Sequence, residues 1–568
     1  MAAGVVCAQT GGCFPLFLRR ALPSAAGSSA YRADQSGFCR KGGFFMLTCQ
    51  NITITHKRDG RVLIRDFSFT PREGEHAALI GEEGNGKSTL LRLLHDPALI
   101  LPYAEYEGTV SKGSGESRVV TGYLPQESEP DAAALPVWEY MNRSPAFQTC
   151  DPRLLTRLSE DVGLDCGLLW SDRPLRTFSG GEQVKLRLLR MMAEEPDVLL
   201  LDEPSLDLDL GTLVWLEDWI SSRPETVLFI SHDETLLENC AQTVIHIEQI
   251  MRKTEPKVTV SRTGYRDYAA RRSDLIVRSA AQAKNDRAAF DKKMERYRHI
   301  YERVHHEQNA ISRQNPSGGR LLKKKMHTVK AMEKRFEREK ENLTKKIDSE
   351  EAVMIDFPPV SVPAGKTVLD LNLPELRAPD GRLLQKDVRL RVSGGEHLVI
   401  TGPNGCGKTT LMRLIADALL PRRDLHAAYM PQDYLDLLPP DETPVAFLQA
   451  SLNDGRGDWS EPAAVKIRTW LGSIKFTPAE MNRPIGGLSG GQRAKLCFLR
   501  MILMGSDVLL LDEPTRNLSP MTGPVIRRIL NDFGGTVIAV SHDRKFIEEV
   551  ADTEYALPDP LSPPVAYL

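Results

Sequence analysis

The sequence predicts an α/β fold that occurs twice and is joined by a long antiparallel α-helical hairpin linker. Three motifs occur in both halves: Ser-Gly-Gly at Ser179 and Ser489, Asp-Glu-Pro at Asp202 and Asp512, and Ser-His-Asp around His232 and His542. Each pair is 310 residues apart (489−179, 512−202 and 542−232). A spacing kept over this distance indicates a duplicated domain. The segment between the copies has apolar residues at helical spacing instead.

Length and composition limit the classes of protein to which the chain can belong. The chain has 568 residues, too many for one core, and 26% of them are charged, as in soluble globular proteins. No run reaches the roughly 18 to 20 apolar residues that span a bilayer. The nine cysteines are scattered and include no Cys-x-x-Cys pair, so we expect reduced thiols, a cytoplasmic location and no metal cluster.

Charge is distributed unevenly along the chain. The net charge is −3, but residues 252–350 hold 27 Lys and Arg against 14 Asp and Glu, a balance of +13. The remainder therefore carries −3 − 13 = −16. This asymmetry favours a polyanionic partner for residues 252–350.

The chain divides into four predicted regions: an N-terminal extension at 1–45, a first α/β domain at 46–251, a basic helical-hairpin linker at 252–350, and a second α/β domain at 351–568. Residues 1–45 contain five basic residues and one acid, Asp34, and are predicted to be disordered. Three interpretations are open: an organellar transit peptide, a secretory signal, or an over-extended start. We favour the last, with Met46 beginning the folded protein.

Each α/β domain contains a P-loop between an apolar strand and a helix. The glycines let backbone N–H groups turn towards phosphate oxygens, and the helix directs its positive end at them. Lys87 and Lys408 are expected to reach the outer phosphates. The predicted nucleotide-binding residues are Gly81, Gly84, Asn85, Gly86, Lys87, Ser88 and Thr89 in the first loop, and Gly402, Asn404, Gly405, Gly407, Lys408, Thr409 and Thr410 in the second.

Acidic, amide and imidazole side chains recur at matching places in both domains. Asp202 and Asp512 end apolar strands and are expected to bind Mg²⁺ with the hydroxyls of Ser88 and Thr409. Glu203 and Glu513 follow and can position or deprotonate an attacking water. Amides at these places can touch Mg²⁺ and this water, and imidazoles can hold a γ-phosphate; these residues are Gln126, Gln432, His232 and His542.

Two helices of 30 or more residues are predicted in the linker. Their apolar stripes are Phe290, Met294, Tyr297, Tyr301, Val304 and Ile311, then Leu322, Met326, Val329, Met332, Phe336, Leu343 and Ile347. A turn is expected at 315–319. The predicted tip, 312–325, has no acid, so we favour nucleic-acid contact over a merely solvated charged face. Its basic residues are Arg313, Arg320, Lys323, Lys324 and Lys325.

Two further segments carry a family resemblance. Ser179-Gly-Gly-Glu-Gln183 and Ser489-Gly-Gly-Gln-Arg493 resemble the signature motifs of ABC ATPases. From Met46 onward the chain resembles the ABC-F family, in which twin ABC ATPase domains joined by a hairpin linker bind the ribosome in their ATP-bound, closed state. The resemblance implies an ATP hydrolase that uses ATP and Mg²⁺, acts as a monomer, and has the ribosome, through rRNA and P-site tRNA, as partner. It also implies that each ATP lies between one P-loop and the other domain's signature, formed by Ser179, Gly180 and Gly181 or by Ser489, Gly490 and Gly491.

Some residues depart from the family pattern. Where Thr-Asn-His-Leu-Asp is usual, the chain has Ser-Leu-Asp-Leu-Asp at 205–209 and Thr-Arg-Asn-Leu-Ser at 515–519. The second segment lacks the Asp that couples the two sites, which argues against equal turnover. The first P-loop reads Gly-Glu-Glu-Gly-Asn-Gly, with an additional acid near phosphate. No clear aromatic residue is placed to stack on adenine, and His56 is a weak candidate.

The long linker, the absence of a long insertion in the first domain and the short segment after His542 resemble the antibiotic-resistance subgroup, whose members protect the ribosome from drugs at the peptidyl-transferase region. Two alternatives stay open. One is a housekeeping translation factor that acts on stalled ribosomes. The other, of a different class, is an ATP-binding subunit that energises a separate membrane transporter.

Overall fold

The computed structural model describes residues 47–113, 118–126, 129, 131–250, 254–310, 316–341, 360, 362–454 and 463–558. All of them belong to one structural unit, Phe44–Leu568. The N-terminal extension, Met46 and Arg313 lie outside the described residues.

The first domain is built from a small antiparallel sheet and a larger, mostly parallel one. The orders are β2-β1-β4 and β5-β6-β7-β3-β8-β9, with only β9 antiparallel in the larger sheet. The strands are β1 Leu47–His56, β2 Val62–Phe69, β3 His76–Ile80, β4 Ala104–Lys112, β5 Thr121–Leu124, β6 Val198–Asp202, β7 Thr226–Ile230, β8 Thr243–Ile250 and β9 Glu255–Ser261. The helices are α1 Lys87–His95, α2 Val137–Asn142, α3 Pro145–Thr149, α4 Pro152–Val162, α5 Gly180–Met192, α6 Leu210–Ser221 and α7 Glu234–Cys240.

The second domain repeats this plan with an all-parallel main sheet, ordered β13-β14-β15-β12-β16, and a two-stranded sheet, β10-β11. Its strands are β10 Thr367–Arg377, β11 Leu383–Ser393, β12 His397–Thr401, β13 Ala427–Met430, β14 Val508–Asp512, β15 Thr536–Val540 and β16 Thr553–Ala556. Its helices are α10 Lys408–Leu419, α11 Pro444–Asp454, α12 Ala463–Ser473, α13 Pro478–Met481, α14 Gly490–Leu503, α15 Gly523–Asn531 and α16 Arg544–Val550.

The central strands explain why the motifs lie where they do. Every residue of β3, β6, β7, β12, β14 and β15 is buried, because helices cover one face of each main sheet and the antiparallel strands cover the other. The functional segments follow the carboxyl ends of these parallel strands, where α/β sheets bind their ligands. The predicted α/β repeat is confirmed.

The linker is a helical hairpin formed by α8 Tyr265–Ala310 and α9 Pro316–Glu341. With 46 residues, α8 is about 70 Å long. Phe290 and Tyr297 contact Phe336, whereas Glu307, further along α8, pairs with Lys325, so the helices run antiparallel. Tyr297, Val304, Met326 and Val329 form the buried part of the seam. The described residues of the two predicted apolar stripes therefore pack against each other. Ile311, Leu343 and Ile347, and the side chain of Leu322, lie outside the described part of the chain.

Two details of the predicted linker are different in the structure. Residues 255–261 form β9 and extend the first domain's sheet, so the hairpin begins at Tyr265 and not at 252. The alternation in this strand is too short to distinguish it from a helix start in the sequence. Pro316–Gly319, predicted as part of the turn, begins α9, because proline is well accommodated in a first helical turn.

Gln126 lies 39 residues after Lys87, whereas Gln432 lies only 24 residues after Lys408. The longer first segment includes β4, which pairs with β1 from Ala104 to Lys112 and completes the first domain's three-stranded sheet. In the described part of the second domain, the corresponding sheet has two strands. No helix in the described part of the chain combines the length and hydropathy that crossing a bilayer requires.

Candidate ATP sites between the two domains

The two P-loops have the same backbone conformation. Gly81 and Gly402 both have φ of 141°, and a Cβ on Gly81 would lie 2.1 Å from the Ile247 carbonyl oxygen, so only glycine fits. Lys87 Nζ donates to the carbonyls of Gly81 (2.8 Å) and Glu82 (3.0 Å).

Lys408 Nζ donates in the same way to the carbonyls of Gly402 and Pro403, both at 2.9 Å. α1 begins at Lys87 and α10 at Lys408, so each helix directs its positive end at the loop. Both loops are therefore shaped to surround phosphates.

In site one, hydrogen bonds connect the predicted metal and catalytic residues. Asp202 accepts from the Ser88 hydroxyl (2.9 Å) and from the Tyr123 hydroxyl (3.1 Å). Gln126 Nε2 donates to Glu203 (3.2 Å), and His232 Nε2 lies 3.1 Å from the other Glu203 oxygen. Burial raises the pKa of Glu203, but the charges of His232 and Lys87 outweigh it and hold that pKa below its usual value. Glu203 is therefore an ionised carboxylate at neutral pH.

In site two, the same residue types have fewer partners. Burial, together with the neighbouring Asp512 carboxylate, raises the pKa of Glu513 to about 8. His542 Nε2 is 3.6 Å from Glu513 Oε1, and burial and Lys408 lower the pKa of His542 to about 4. Thr409, Thr410 and Gln432 line one cavity of about 460 Å³ with Lys408 and these acids.

Both sites contain donors suited to Mg²⁺. Each has a buried strand-end carboxylate, Asp202 or Asp512, and a hydroxyl at the start of the P-loop helix. Burial raises the pKa of Asp512 to about 6, and neither of its oxygens accepts a hydrogen bond of ordinary geometry. A divalent cation would satisfy this carboxylate. Because Mg²⁺ takes one or two carboxylates, water and substrate phosphates, these residues fit it.

The signature segments begin helices that point across the domain interface. Ser179 caps α5 and Ser489 caps α14, each in a capping box. The Gly491 N–H donates to Glu83 of the first P-loop (3.0 Å). The structure thus brings Ser489, Gly490 and Gly491 to site one.

The opposite signature reaches site two. A Cβ on Gly180 would lie 3.9 Å from Asn404 Nδ2 of the second P-loop. Asn404 Nδ2 also donates to the Asp207 carbonyl (2.6 Å). Each P-loop therefore faces the other domain's signature, as the family resemblance implies.

The segments after the Asp-Glu-Pro motifs also meet across the interface, which the sequence did not reveal. Arg516 pairs with the Asp207 carboxylate at 2.6 Å. His232 Nδ1 donates to the Leu518 carbonyl at 2.6 Å, whereas the buried His542 Nδ1 has no hydrogen-bond partner. The two sites therefore differ in how the opposite domain holds the histidine.

Other functional side chains were missed as well. Tyr123 could have been found, because it and Tyr429 occupy the same place before the two glutamines. Lys495, on α14, pairs with Glu82 of the first P-loop, and no repeated motif marks this contact. No Phe, Tyr or Trp lines the 460 Å³ cavity of site two. His56 bonds Asp59 (2.8 Å), and its contact with adenine stays a prediction.

Four of the five basic residues predicted at the tip, Arg320, Lys323, Lys324 and Lys325, lie on α9, whereas Arg313 lies outside the described residues. Arg320, Lys323 and Lys324 are exposed, and exposed Lys325 is 3.7 Å from Glu307 of α8. The predicted tip segment contains no acid, but the fold brings Glu307 of α8 close to its basic residues.

Comparison with known proteins agrees with this architecture. A profile of the ABC transporter family matches residues 64–206 and 385–516. The chain is 26% identical to ABC transporter F family member 5 of Arabidopsis thaliana over 89% of this chain and 73% of that protein. It is 29% identical to the tylosin resistance ATP-binding protein TlrC of Streptomyces fradiae over 87% and 94% of the two chains.

A solved structure shares the fold. The archaeal ribosome recycling factor aABCE1, in complex with the ribosomal stalk protein aP1, superposes with a TM-score of 0.53 and 17% identity. The match covers 89% of this chain and 87% of that one. The match shows that the fold of the two domains occurs in a solved structure.

Proposed function

The chain belongs to the ABC-F family of ATP-hydrolysing ABC ATPases, and from this membership we propose that it binds the ribosome when ATP closes its domains. We propose further that the hairpin of α8 and α9 acts on the peptidyl-transferase region and protects ribosomes from antibiotics. The observation that carries the proposal is a stalk about 70 Å long with exposed Arg320, Lys323 and Lys324 on its second helix. rRNA and tRNA are the polyanions that such a surface fits.

The same residues have distinct roles in the proposed cycle. Lys87 and Lys408 bind phosphates, and the signatures complete each site from the opposite domain. Glu203 orients and deprotonates the attacking water while Gln126 holds its second oxygen. Mg²⁺, when bound, would neutralise phosphate charge beside Asp202 and Asp512. Hydrolysis would remove the γ-phosphate that holds P-loop and signature together, and the domains would open.

Drug tolerance of a sensitive bacterial host tests the proposal. We expect cells that express the full chain to tolerate lincosamides, pleuromutilins, streptogramins A or macrolides better than control cells. TlrC, which is similar over almost its whole length, is named for tylosin resistance. The Glu203→Gln/Glu513→Gln variant, which cannot activate water, should lose this tolerance.

A housekeeping translation factor that acts on stalled ribosomes is the second candidate, since the exposed basic residues of α9 would fit its ribosome contact equally well. If tolerance is unchanged and the double variant arrests growth, the chain is such a factor. If it sediments with membranes and not with ribosomes, it energises a transporter, and ribosome binding and the expected cytoplasmic location are both wrong.

A further inference from the structure

The first P-loop carries an acidic pair that contacts the opposite domain. Glu83 Oε2 accepts the Gly491 N–H at 3.0 Å, and a Cβ on Gly490 would also lie 3.0 Å from this oxygen. The neighbouring Glu82 forms an ion pair with Lys495, two turns into α14. The side chains of this pair are only 13% and 5% exposed, so the pair is shielded from solvent. The two acids therefore connect site one across the domain interface.

Among the described residues, site two has no acidic equivalent of these contacts, and Asn404 donates to the Asp207 carbonyl there instead. The second P-loop places Pro403 and Asn404 where the first has Glu82 and Glu83. Lys185, which corresponds to Lys495 on the opposite signature helix, lies over the Trp215 ring, 4.5 Å from its centroid. The acidic bridge is thus a property of one site and not of the fold.

The position of Glu83 matters because an amide at a helix N-terminus binds anions. In an ABC sandwich, the signature's N–H groups bind the γ-phosphate of a nucleotide on the facing P-loop. A carboxylate on the Gly491 N–H and a phosphate on the same group exclude each other. ADP has no γ-phosphate and does not compete for this N–H.

We propose that Glu83 is a specificity-determining residue of site one, which competes with the γ-phosphate for the Gly491 N–H and so weakens ATP binding relative to ADP. The Glu82–Lys495 pair holds the facing signature against the P-loop during this exchange. Site one is therefore the less ATP-selective of the two sites.

Nucleotide binding without ribosomes tests the proposal. Both proteins carry Lys408→Ala, which removes phosphate binding at site two. Addition of Glu83→Ala should lower the Kd for a fluorescent non-hydrolysable ATP analogue about tenfold, because one charge-assisted hydrogen bond no longer competes. The Kd for fluorescent ADP should change by less than about twofold. Glu83→Gln keeps the side-chain shape and should give a smaller gain of the same sign. Glu107→Gln, an exposed acid on β4, is the matched control and should change neither Kd.

Two results would overturn the proposal. One is an equal gain for ATP analogue and ADP, since that would mean general charge repulsion and not competition for one amide. The other is no change in either Kd for both Glu83 variants. Because no ribosome is present, either result leaves the proposed function standing, and a lack of ribosome binding leaves this proposal standing.

A double-variant cycle tests the role of Lys495. Lys495→Met removes the positive charge that pairs with the shielded Glu82 carboxylate, so fluorescence energy transfer between labels on the two domains should report a wider separation at site one. Glu82→Gln/Lys495→Met removes both charges and should restore the separation. Equal separations in the unmodified protein, Lys495→Met and the double variant would show that the Glu82–Lys495 pair does not hold the domains together.

Discussion

At the residue scale, Glu203 and Glu513, which follow Asp202 and Asp512, differ although they occupy the same place in the repeat. Their side chains are similarly shielded, 10% exposed for Glu203 and 12% for Glu513. The difference comes from their partners. The His232 ring is held by a carbonyl of the opposite domain and lies at hydrogen-bond distance from Glu203. The neutral His542 ring is 3.6 Å from Glu513, which instead accepts the His542 backbone N–H at 3.4 Å. At pH 7, site one therefore has an ionised base, and the base of site two is largely protonated.

This difference predicts that ATPase activity depends on pH in one of the two variants that retain a single working site and not in the other. Glu203→Gln, which leaves site two, should gain ATPase activity about tenfold between pH 7 and pH 9, because Glu513 loses its proton near its raised pKa of about 8. Glu513→Gln, which leaves site one, should change little over this range, because the lowered pKa keeps Glu203 ionised throughout. Steady-state ATPase rates, corrected with the double variant, provide the measurement. Parallel profiles for the two variants would contradict the assignment.

Sequence reasoning could predict the residue types at both sites because each occurs twice in the same context. The Asp missing from the segment at 515–519 indicated unequal turnover, but the sequence could not predict how the surroundings of the two glutamates differ. That depends on the Leu518 carbonyl reaching His232 and on Arg516 reaching Asp207, two contacts between segments about 300 residues apart along the chain. The acidic pair in the first P-loop was visible in the sequence, and the resemblance implied that Gly491 faces this loop. The ion pair of Glu82 with Lys495 and the hydrogen bond from Gly491 to Glu83 were not predicted.

At the element scale, the hairpin is held together by its apolar seam. Tyr297 contacts Phe336 with ring centroids 5.7 Å apart and Tyr301 at 6.1 Å. The seam was predictable because the 3.6-residue period requires only one stripe on each helix. The start of α9 was not, since a Pro-Ser-Gly-Gly sequence is compatible with a turn and with a first helical turn.

Removal of a seam aromatic should loosen the hairpin without affecting nucleotide binding. Tyr297→Ala should cost about 3 kcal/mol locally, because it deletes a buried ring. Faster amide hydrogen exchange in α8 and α9, with unchanged exchange in the P-loops, is the expected result. Arg296→Ala, at the exposed neighbouring position, is the control. Equal amide exchange rates of α8 and α9 in Tyr297→Ala and Arg296→Ala would mean that the seam does not stabilise the hairpin.

The basic surface of α9 predicts how the affinity for ribosomes depends on salt concentration. Replacement of Lys323, Lys324 and Lys325 by Ala should weaken ribosome binding and reduce the slope of log K against log salt by about 2, because up to three phosphate contacts are lost. Lys284, Lys292 and Lys334, exposed along the stalk, provide a triple-alanine control of equal charge. An unchanged slope for the Lys323, Lys324 and Lys325 variant would exclude this surface from the ribosome contact.

At the scale of the whole molecule, charged side chains connect the two domains behind the ATP sites. Arg527 of α15 is 2% exposed and forms two hydrogen bonds to Glu234 of α7, at 2.7 and 3.2 Å. Arg544 pairs with Glu217 nearby, and Lys545 pairs with Glu238. The Tyr265 hydroxyl, at the base of α8, donates to the Pro520 carbonyl (3.0 Å), so the linker base takes part in the same interface.

This interface predicts a large effect on stability. Arg527→Ala leaves Glu234 buried without its partner and should lower the free energy of unfolding by about 3–5 kcal/mol. Arg528→Ala, at the exposed adjacent position, should change it by less than about 0.5 kcal/mol. Urea denaturation followed by circular dichroism compares the two. Similar values for both variants would show that the pair does not stabilise the domain arrangement.

In the proposed cycle, ATP closes the domains, and the closed form binds ribosomes through the hairpin. The decisive experiment is co-sedimentation of the Glu203→Gln/Glu513→Gln variant with bacterial ribosomes, in ATP and in ADP. Retention on ribosomes in ATP and release in ADP is the predicted result, because the variant can close but cannot hydrolyse. Failure of the variant to sediment with ribosomes in ATP, while it still binds the nucleotide, would contradict the account.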